Sequence, residues 1–468
     1  MWNNSVVLYF CVILCELFKQ RPDSAVLCKT IYIMRIEKTI LCGIMLGLAL
    51  LNALPGMAQR GYYKDIFMDG GISVSSRTTL PSATALNLTM DYLTCSPHKL
   101  NGKSAYNAAD SLFQQEQLGG NAMDENGILL YPDGQPRFRM IFMNGGGAAR
   151  HGASLGEAGR ENIRTFIRNG GSYVGSCAGA FLTSKGALGK DGNIYHTDCY
   201  LGIWPGHTLS TALSDSRTNL ILDSKSPLLE YYDFGGDCRV DSVYHNNGCY
   251  ALPDSAWPKQ TEVLLRYDTQ GRELKREIDG QAAVWAYKAN EYAGRVIACG
   301  SHPEGNSSGE KLDLMCAMVR YALDGNGAPR LKGELKNGEP REMTCRTSDK
   351  NPDFTRIGDR QYHYFMVQVP KGTKELILSL QPLLGYSDYS VYLCAGYEPF
   401  PKMEDAGFRN LSSTFAKEIR ILNPKAGKLY VSVFCNTTVD TVASPYGHQY
   451  SGRVDVLNGV PYIIKAEF

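Results

Sequence analysis

A cysteine within a run of small residues is the first candidate for chemistry. Cys177 lies in GSYVGSCAGAFLTS, after an apolar strand-like run and before a helix-compatible segment. A sharp turn from strand to helix exposes a nucleophile, and small neighbours relieve the crowding at such a turn. The N-terminus of the following helix would favour the thiolate. The pattern predicts a displayed nucleophile, and the alternative is a small thiol packed in the core.

A histidine and a glutamate two residues apart supply the groups that such a thiol needs. His302 and Glu304 occur in GRVIACGSHPEG, at the end of a predicted strand. In extended chain, residues i and i+2 point to the same side, and Pro303 keeps His302 out of helical geometry. An imidazole could take the thiol proton while the carboxylate orients the ring. The residues predict a Cys-His-Glu triad, and the alternative is a surface turn with an incidental histidine.

Together the two motifs resemble those of the class I glutamine amidotransferase superfamily. G-x-C-x-G precedes H-P-E by about 125 positions. Within that superfamily, FMDGGISVSS, NGGGA, YHNNGCY and GRVIACGSHPEG are most similar to the N-terminal domain of eukaryotic-type biotin protein ligases, over roughly residues 63–322. The resemblance implies that Cys177 is the nucleophile, His302 the base and Glu304 the orienting carboxylate.

The same resemblance gives roles to the loops MNGGGA and YHNNG. The family forms its oxyanion hole from the glycine loop and the residue after the nucleophile, and glycines let backbone N–H groups approach a carbonyl. The alternative for each loop is a tight turn, with His245 as a strand-edge residue. The oxyanion candidates are Gly146, Gly147 and Ala178. The candidate substrate-binding residues are Asn144, Tyr244, Asn246 and Asn247.

The elements that must position these groups alternate between strands and helices. From Tyr63 to about Asp324, short apolar runs alternate with amphipathic ones, which is typical of helices around a largely parallel sheet. GRENIRTFIRNGG places Ile163, Phe166 and Ile167 on one helical face. We expect an α/β fold with a doubly wound, mostly parallel sheet of the class I glutamine amidotransferase type, and the triad at its carboxyl edge.

A second domain of different composition follows. Residues 325–340, GNGAPRLKGELKNGEP, are rich in Gly, Pro and charge and are predicted to be a linker. Over 341–468, period-2 runs such as HYFMVQVP and KLYVSVFC predict an all-β sandwich. VPKGTKELILSLQP, SDYSVYLCAG and KAGKLYVSVF resemble the bacterial pre-peptidase C-terminal domain, a module of secreted hydrolases. The acidic strand signature of that family is kept only in part, around Asp388.

Residues 1–58 are expected to be a leader. VVLYFCVILCELF and TILCGIMLGLALLNALPGMA are apolar runs, and MRIEK gives the second a charged start. We expect translation from Met34 and signal-peptide cleavage near Gln59, which would leave an exported protein, periplasmic or secreted, without stable membrane insertion. The α/β domain would then cover 59–324. The alternative is a two-span membrane anchor, for which the first run is short.

Composition excludes several classes of partner. With 48 Lys and Arg against 47 Asp and Glu, the formal net charge is +1, which gives no electrostatic footprint for nucleic acid. The eight histidines are scattered without metal-ligand spacing, so we expect no metal and no cofactor. The expected partners are a small-molecule or peptide substrate and, through the sandwich, a glycan or a protein. Export would permit disulfides, with Cys238–Cys249 and Cys394–Cys435 as candidate pairs.

Three functions fit these features. The favoured one is an exported thiol-dependent hydrolase of an amide or peptide bond that works through an acyl-enzyme. Export disfavours cytosolic nitrogen transfer, and no synthase or ATP-binding ligase domain is found in the sequence. The alternatives are a non-catalytic ligand-binding module on the same fold and a glutamine amidotransferase subunit that works with a separate synthase.

Overall fold

A computed structural model describes residues 61–71, 79–94, 99–100, 103–104 and 108–468. The expected leader, the start at Met34 and the cleavage near Gln59 lie outside the described residues. Within them, none of the helices combines the length and the apolar character that crossing a bilayer requires. The nine cysteines in the described part of the chain are free thiols, so neither candidate disulfide is formed.

The described secondary structure comprises six helices, 26 strands and five short 3₁₀ helices. The helices are α1 Pro81–Ala85, α2 Ala108–Gly119, α3 Ala148–Ser154, α4 Gly156–Arg168, α5 Ala178–Thr183 and α6 Glu310–Asp324. The first fifteen strands are β1 Lys64–Asp69, β2 Met90–Leu93, β3 Lys99–Leu100, β4 Lys103–Ser104, β5 Phe138–Met143, β6 Ser172–Ser176, β7 Ala187–Leu188, β8 Ile194–Tyr195, β9 Thr208–Ser210, β10 Ser216–Leu222, β11 Arg239–His245, β12 Cys249–Ala251, β13 Thr261–Asp268, β14 Ala282–Tyr287 and β15 Val296–Cys299. The others are β16 Leu331–Glu334, β17 Arg341–Met343, β18 Tyr362–Val369, β19 Glu375–Pro382, β20 Val391–Gly396, β21 Phe408–Asn410, β22 Lys417–Leu422, β23 Gly427–Cys435, β24 Asp440–Ser444, β25 Gly447–Ser451 and β26 Tyr462–Glu467. The 3₁₀ helices are Pro227–Glu230, Phe234–Gly236, Thr347–Asp349, Pro352–Phe354 and Val454–Asn458.

Five parallel strands form the centre of the largest sheet, in the order β2-β1-β5-β6-β15. Strands β5, β6 and β15 are short runs of mainly apolar or small residues that are buried almost throughout, as expected for strands covered on both faces. Beyond β15 the sheet continues with β14 and further strands that are mostly antiparallel. The parallel centre confirms the expected α/β class.

Helices cover both faces of this sheet. On one face α2, α3 and α4 pack together, and the predicted apolar side of α4, Ile163, Phe166 and Ile167, is buried there. On the other face α1 packs on α6, and both contribute to a separate core cluster. Layers on both sides of a parallel sheet are the doubly wound arrangement that the alternating pattern predicts.

Two antiparallel-rich sheets form the β-sandwich of the C-terminal part. One has the order β16-β18-β23-β20-β21 and the other the order β17-β26-β19-β22. Strand β22 alternates strictly between buried and exposed residues, because one face packs on the core and the other meets solvent. A single cluster of buried apolar side chains from both sheets fills the space between them.

The segment expected to be a linker differs from that expectation. Within 325–340, strand β16 pairs in parallel with β18 and so belongs to the sandwich. The hairpin β24–β25 departs from the sandwich and adds to the edge of the large sheet, where Leu93 of β2 pairs with Gly447 of β25. Both elements are short and depend on pairing with distant strands, which local composition does not reveal.

Buried polar contacts join the α/β part to the sandwich. Arg137 donates from Nε and Nη2 to the two carboxylate oxygens of Asp359, at 3.0 and 2.9 Å, and both side chains are 1% exposed. The guanidinium also lies 4.3 Å from the ring centroid of Tyr63 and 4.6 Å from that of Tyr450. A bidentate, stacked and dry ion pair fixes geometry as well as charge.

Removal of one partner from this ion pair should therefore be costly. Asp359→Asn leaves a buried guanidinium without its counter-charge, and we expect the free energy of unfolding to fall by about 3 kcal/mol. Urea denaturation measures the loss. The matched control is Asp388→Asn, whose carboxylate pairs with Arg453 at the surface and should contribute less than about 1 kcal/mol. Equal effects of the two variants would contradict the assignment.

Candidate active site

Three neighbouring parallel strands deliver the predicted catalytic groups to one edge of the sheet. Cys177 follows β6, His302 lies three residues after β15, and the glycine loop 144–147 follows β5. Because β5, β6 and β15 are adjacent and parallel, their carboxyl ends lie side by side. The structure thus brings together groups that are up to 158 residues apart.

The backbone at Cys177 makes the sharp turn that the small neighbours predict. Its φ of 49° and ψ of −101° are rare for a residue with a side chain, and such strain concentrates at functional positions. A Cβ added to Gly175 would lie 2.6 Å from the backbone of Gly179, and one added to Gly179 would lie 2.3 Å from the carbonyl oxygen of Met143. Glycine is required at both positions for β5, β6 and α5 to meet.

The thiol of Cys177 lies at the floor of an open cleft. The residue is only 5% exposed, yet it lines a cavity of 640 Å³ together with His302 and Glu304. Its Sγ lies 3.6 Å from the carbonyl oxygen of Asn246. The core-thiol alternative does not describe this position, because the side chain faces the cleft as well as the protein interior.

The imidazole of His302 is held between the thiol and the carboxylate. Its Nδ1 lies 2.9 Å from Oε1 of Glu304, which is itself 7% exposed. Burial alone would lower the pKa of His302, but hydrogen bonds to Cys177 and Glu304 and their negative charges raise it to about 10. The ring of His302 is therefore protonated at neutral pH, with its positive charge next to the Glu304 carboxylate.

A second histidine, His245, is buried close enough to His302 to feel its charge. His245 is fully buried, with Nε2 2.7 Å from Oγ1 of Thr211 and Nδ1 3.0 Å from Oγ of Ser301. Burial, and then the charge of His302, lower its pKa to about 4, so the ring is neutral. The Thr211 hydroxyl donates to the carbonyl of Gly248, which leaves it to accept from Nε2–H. His245 is thus a buried, hydrogen-bonded residue beside the site. The strand-edge alternative describes its place at the end of β11 but not its burial.

The glycine loop places its residues unequally around the cleft. Gly146, with φ of 148°, lines the cleft, and Ala178 begins α5, so its backbone N–H is at a helix N-terminus. Gly147 instead caps α3 and is not among the residues that line this cavity. Asn144 is buried, and its Nδ2 has no hydrogen-bond partner among the described residues. Of the three oxyanion candidates, Gly146 lines the cleft, whereas Gly147 and Ala178 lie next to residues that do.

Three of the four predicted substrate-binding residues line the cleft, whereas Asn144 is not among the lining residues. Tyr244, Asn246 and Asn247 all line the cleft, and the ring centroid of Tyr244 lies 5.6 Å from that of His302. Sequence reasoning missed four further lining residues: Gly145, Arg217, Gly305 and Asn306. Gly145 had a signal, since it belongs to the same glycine run, whereas Arg217 lies in a strand with no motif. Among the described residues no group of three or more His, Cys, Asp or Glu side chains is arranged to hold a metal ion.

Residues 128–317 match the family model described as "Biotin-protein ligase, N terminal". This region resembles that family. The match includes Cys177, His302 and Glu304 and confirms the similarity that the motifs indicate, over less than half of the chain. No curated protein matches the chain.

Solved structures with similarity to the chain include two amidotransferases and a β-domain. A glutamine amidotransferase is 14% identical, with a TM-score of 0.32, over 55% of this chain and 97% of its own. The enzyme from Methylobacillus flagellatus is 10% identical, with a TM-score of 0.29, over 55% and 76%. The pre-peptidase C-terminal domain of a collagenase from Bacillus anthracis is 11% identical, with a TM-score of 0.18, over 30% and 100%. These TM-scores are too low to support an argument about the fold. The architecture described above follows from the strand order of this chain.

The pKa values of the two site histidines should be shifted in opposite directions from the ordinary value. NMR of histidine-labelled protein should show His302 protonated up to about pH 10 and His245 neutral down to about pH 4. Cys177→Ser removes the sulfur that contributes to the raised pKa of His302, so that pKa should fall toward the ordinary histidine value of about 6.5. A native His302 that already titrates near the ordinary value would contradict the raised pKa.

Gly145 should be intolerant of any side chain. A Cβ at this position would lie 2.3 Å from Cε1 of His302 and 3.3 Å from Cβ of Cys177, so Gly145→Ala must displace the imidazole. A misplaced base should slow alkylation of Cys177 at pH 7 by about 10-fold, less than loss of the ring would, because the imidazole is displaced rather than removed. Gly407→Ala is the matched control, since a Cβ there meets nothing within 4 Å. Circular dichroism checks that both variants fold.

Proposed function

We propose that the protein is a thiol-dependent hydrolase that cleaves an amide or peptide bond through an acyl-enzyme. The observation that carries the proposal is the position of His302, whose ring is held by Glu304 and lines the same open cleft as Cys177. This supplies a nucleophile, a proton carrier and an orienting carboxylate in one place. Export after cleavage near Gln59 is part of the proposal, as is a contact between the sandwich and a glycan or a protein.

The first half of the reaction uses the thiolate and the imidazolium. Sγ of Cys177 attacks the substrate carbonyl carbon, a C–S bond forms, and the carbonyl electron pair moves to oxygen. Backbone N–H groups of Gly146 and Ala178 are the proposed donors for that oxyanion. The imidazolium of His302 gives its proton to the leaving nitrogen as the C–N bond breaks, which leaves a thioester and a free amine.

The second half regenerates the enzyme. The neutral imidazole of His302 removes a proton from water, and the resulting hydroxide attacks the thioester carbon. The C–S bond then breaks, the acid leaves, and the thiolate–imidazolium pair is restored. Throughout, Glu304 fixes the ring through Nδ1 and stabilises its positive charge, as the third member of a triad does.

The test is the rate at which iodoacetamide alkylates Cys177, followed by mass spectrometry against pH. At pH 7 we expect His302→Ala to slow alkylation about 30-fold, because only about 3% of an ordinary thiol with a pKa near 8.5 is ionised there. The matched control is His207→Ala, which removes a histidine from another His–carboxylate pair, 2.8 Å from Asp254. It should leave the rate of Cys177 unchanged.

The outcomes separate the proposal from its rivals. Fast alkylation that depends on His302, followed by thioester formation with an amide substrate, supports the hydrolase. Slow alkylation in both the native protein and His302→Ala would contradict it and favour a non-catalytic binding module. Glutaminase activity with release of ammonia as the preferred reaction would instead favour an amidotransferase subunit.

A further inference from the structure

A single arginine stands in the wall of the catalytic cleft. Arg217 lies in β10, and its direct partner across the antiparallel ladder is Tyr244 of β11. Tyr244 in turn packs its ring against His302. Arg217 therefore lines the same 640 Å³ cavity as the triad, one residue pair away from the imidazole.

Only one nitrogen of the Arg217 guanidinium is used in a hydrogen bond that the structure describes. Its Nη1 donates to the carbonyl oxygen of Ser242 at 3.1 Å, and the residue is exposed. Among the described residues this is its one side-chain hydrogen bond, and no carboxylate there forms an ion pair with it. The Nε and Nη2 donors are left available, and this fork matches the two oxygens of a carboxylate.

The charge of the catalytic groups makes such a cation consequential. In the proposed mechanism Cys177 is a thiolate, His302 an imidazolium and Glu304 a carboxylate, which sum to a net charge of −1. An anionic substrate would be repelled unless a positive group compensates. Among the described residues that line the cleft, Arg217 is the one side chain with a permanent positive charge.

We infer that Arg217 is a specificity-determining residue that binds a carboxylate of the substrate. The substrate class is then an amide that carries an anionic carboxylate near the bond to be cleaved, such as a small amino-acid amide or the free C-terminal end of a peptide. This inference rests on the proposed thiol chemistry at Cys177. It adds the charge of the substrate, which the triad alone does not determine.

A pair of alkylating reagents that differ only in charge tests the inference without a known substrate. Iodoacetate carries a carboxylate where iodoacetamide carries a neutral amide. In both reactions Sγ of Cys177 attacks the methylene carbon, the C–S bond forms, and iodide leaves with the C–I electrons. The ratio of the two rates therefore reports recognition of the carboxylate, since the intrinsic reactivity of the thiol cancels.

We expect Arg217→Gln to lower the ratio of the iodoacetate rate to the iodoacetamide rate about tenfold, as loss of one charge-assisted pair would. Arg217→Lys should fall between, because an ammonium supplies charge without the fork. The control is Arg266→Gln, which removes an exposed arginine outside the cleft, bonded to the carbonyl of Gly280, and should leave the ratio unchanged. Added salt should lower the native ratio by screening.

Each outcome decides a different claim. A ratio that falls in Arg217→Gln but not in Arg266→Gln supports the carboxylate site. Fast labelling by both reagents with the same ratio in native protein and Arg217→Gln overturns the carboxylate site and leaves the hydrolase standing. Labelling by both reagents that is slow and independent of His302 overturns the proposed chemistry and, with it, the inference.

Discussion

The site depends on the parallel pairing of β6 with β15. The register aligns Ser176 with Cys299, and just beyond it the backbone N–H of Cys177 donates to the carbonyl of Cys299 at 2.8 Å. This hydrogen bond holds the strained cysteine at the end of one strand against the strand that leads to His302. A shift of one residue in that register would turn the side chains to the other face of the sheet and separate the thiol from the imidazole.

Burial and hydrogen-bond partners set the charge of each polar group around this pairing. Glu304 and His245 both lie close to His302, but Glu304 accepts a hydrogen bond from the ring and His245 remains neutral in a dry environment. Two histidines that are nearly adjacent in space therefore have pKa values on opposite sides of neutrality. Environments that separate the pKa values of neighbouring groups are how a fold assigns different roles to similar side chains.

Local sequence motifs predict most residues of the candidate site but few of the residues around it. Cys177, His302 and Glu304 are predictable because their neighbours, small residues and a proline, restrict the backbone at each position. In the run of three glycines, the sequence does not show that Gly145 packs against the imidazole and that Gly147 turns away, since this depends on the loop conformation. Arg217 carries no local signal, because only the long-range pairing of β10 with β11 brings it to the cleft.

The hairpin β24–β25 has a consequence for how the chain folds. It covers the edge of β2, and His448 and Tyr450 hydrogen-bond the buried carboxylate of Asp91 at 2.9 and 3.0 Å. Until residues near 450 leave the ribosome, β2 has an open edge and Asp91 lacks two partners, so the large sheet is completed late in synthesis. Contacts across more than 350 residues are slow to form, and an uncovered edge invites pairing with other chains. For this protein, holdase chaperones that shield β2 would matter most before the sandwich has emerged.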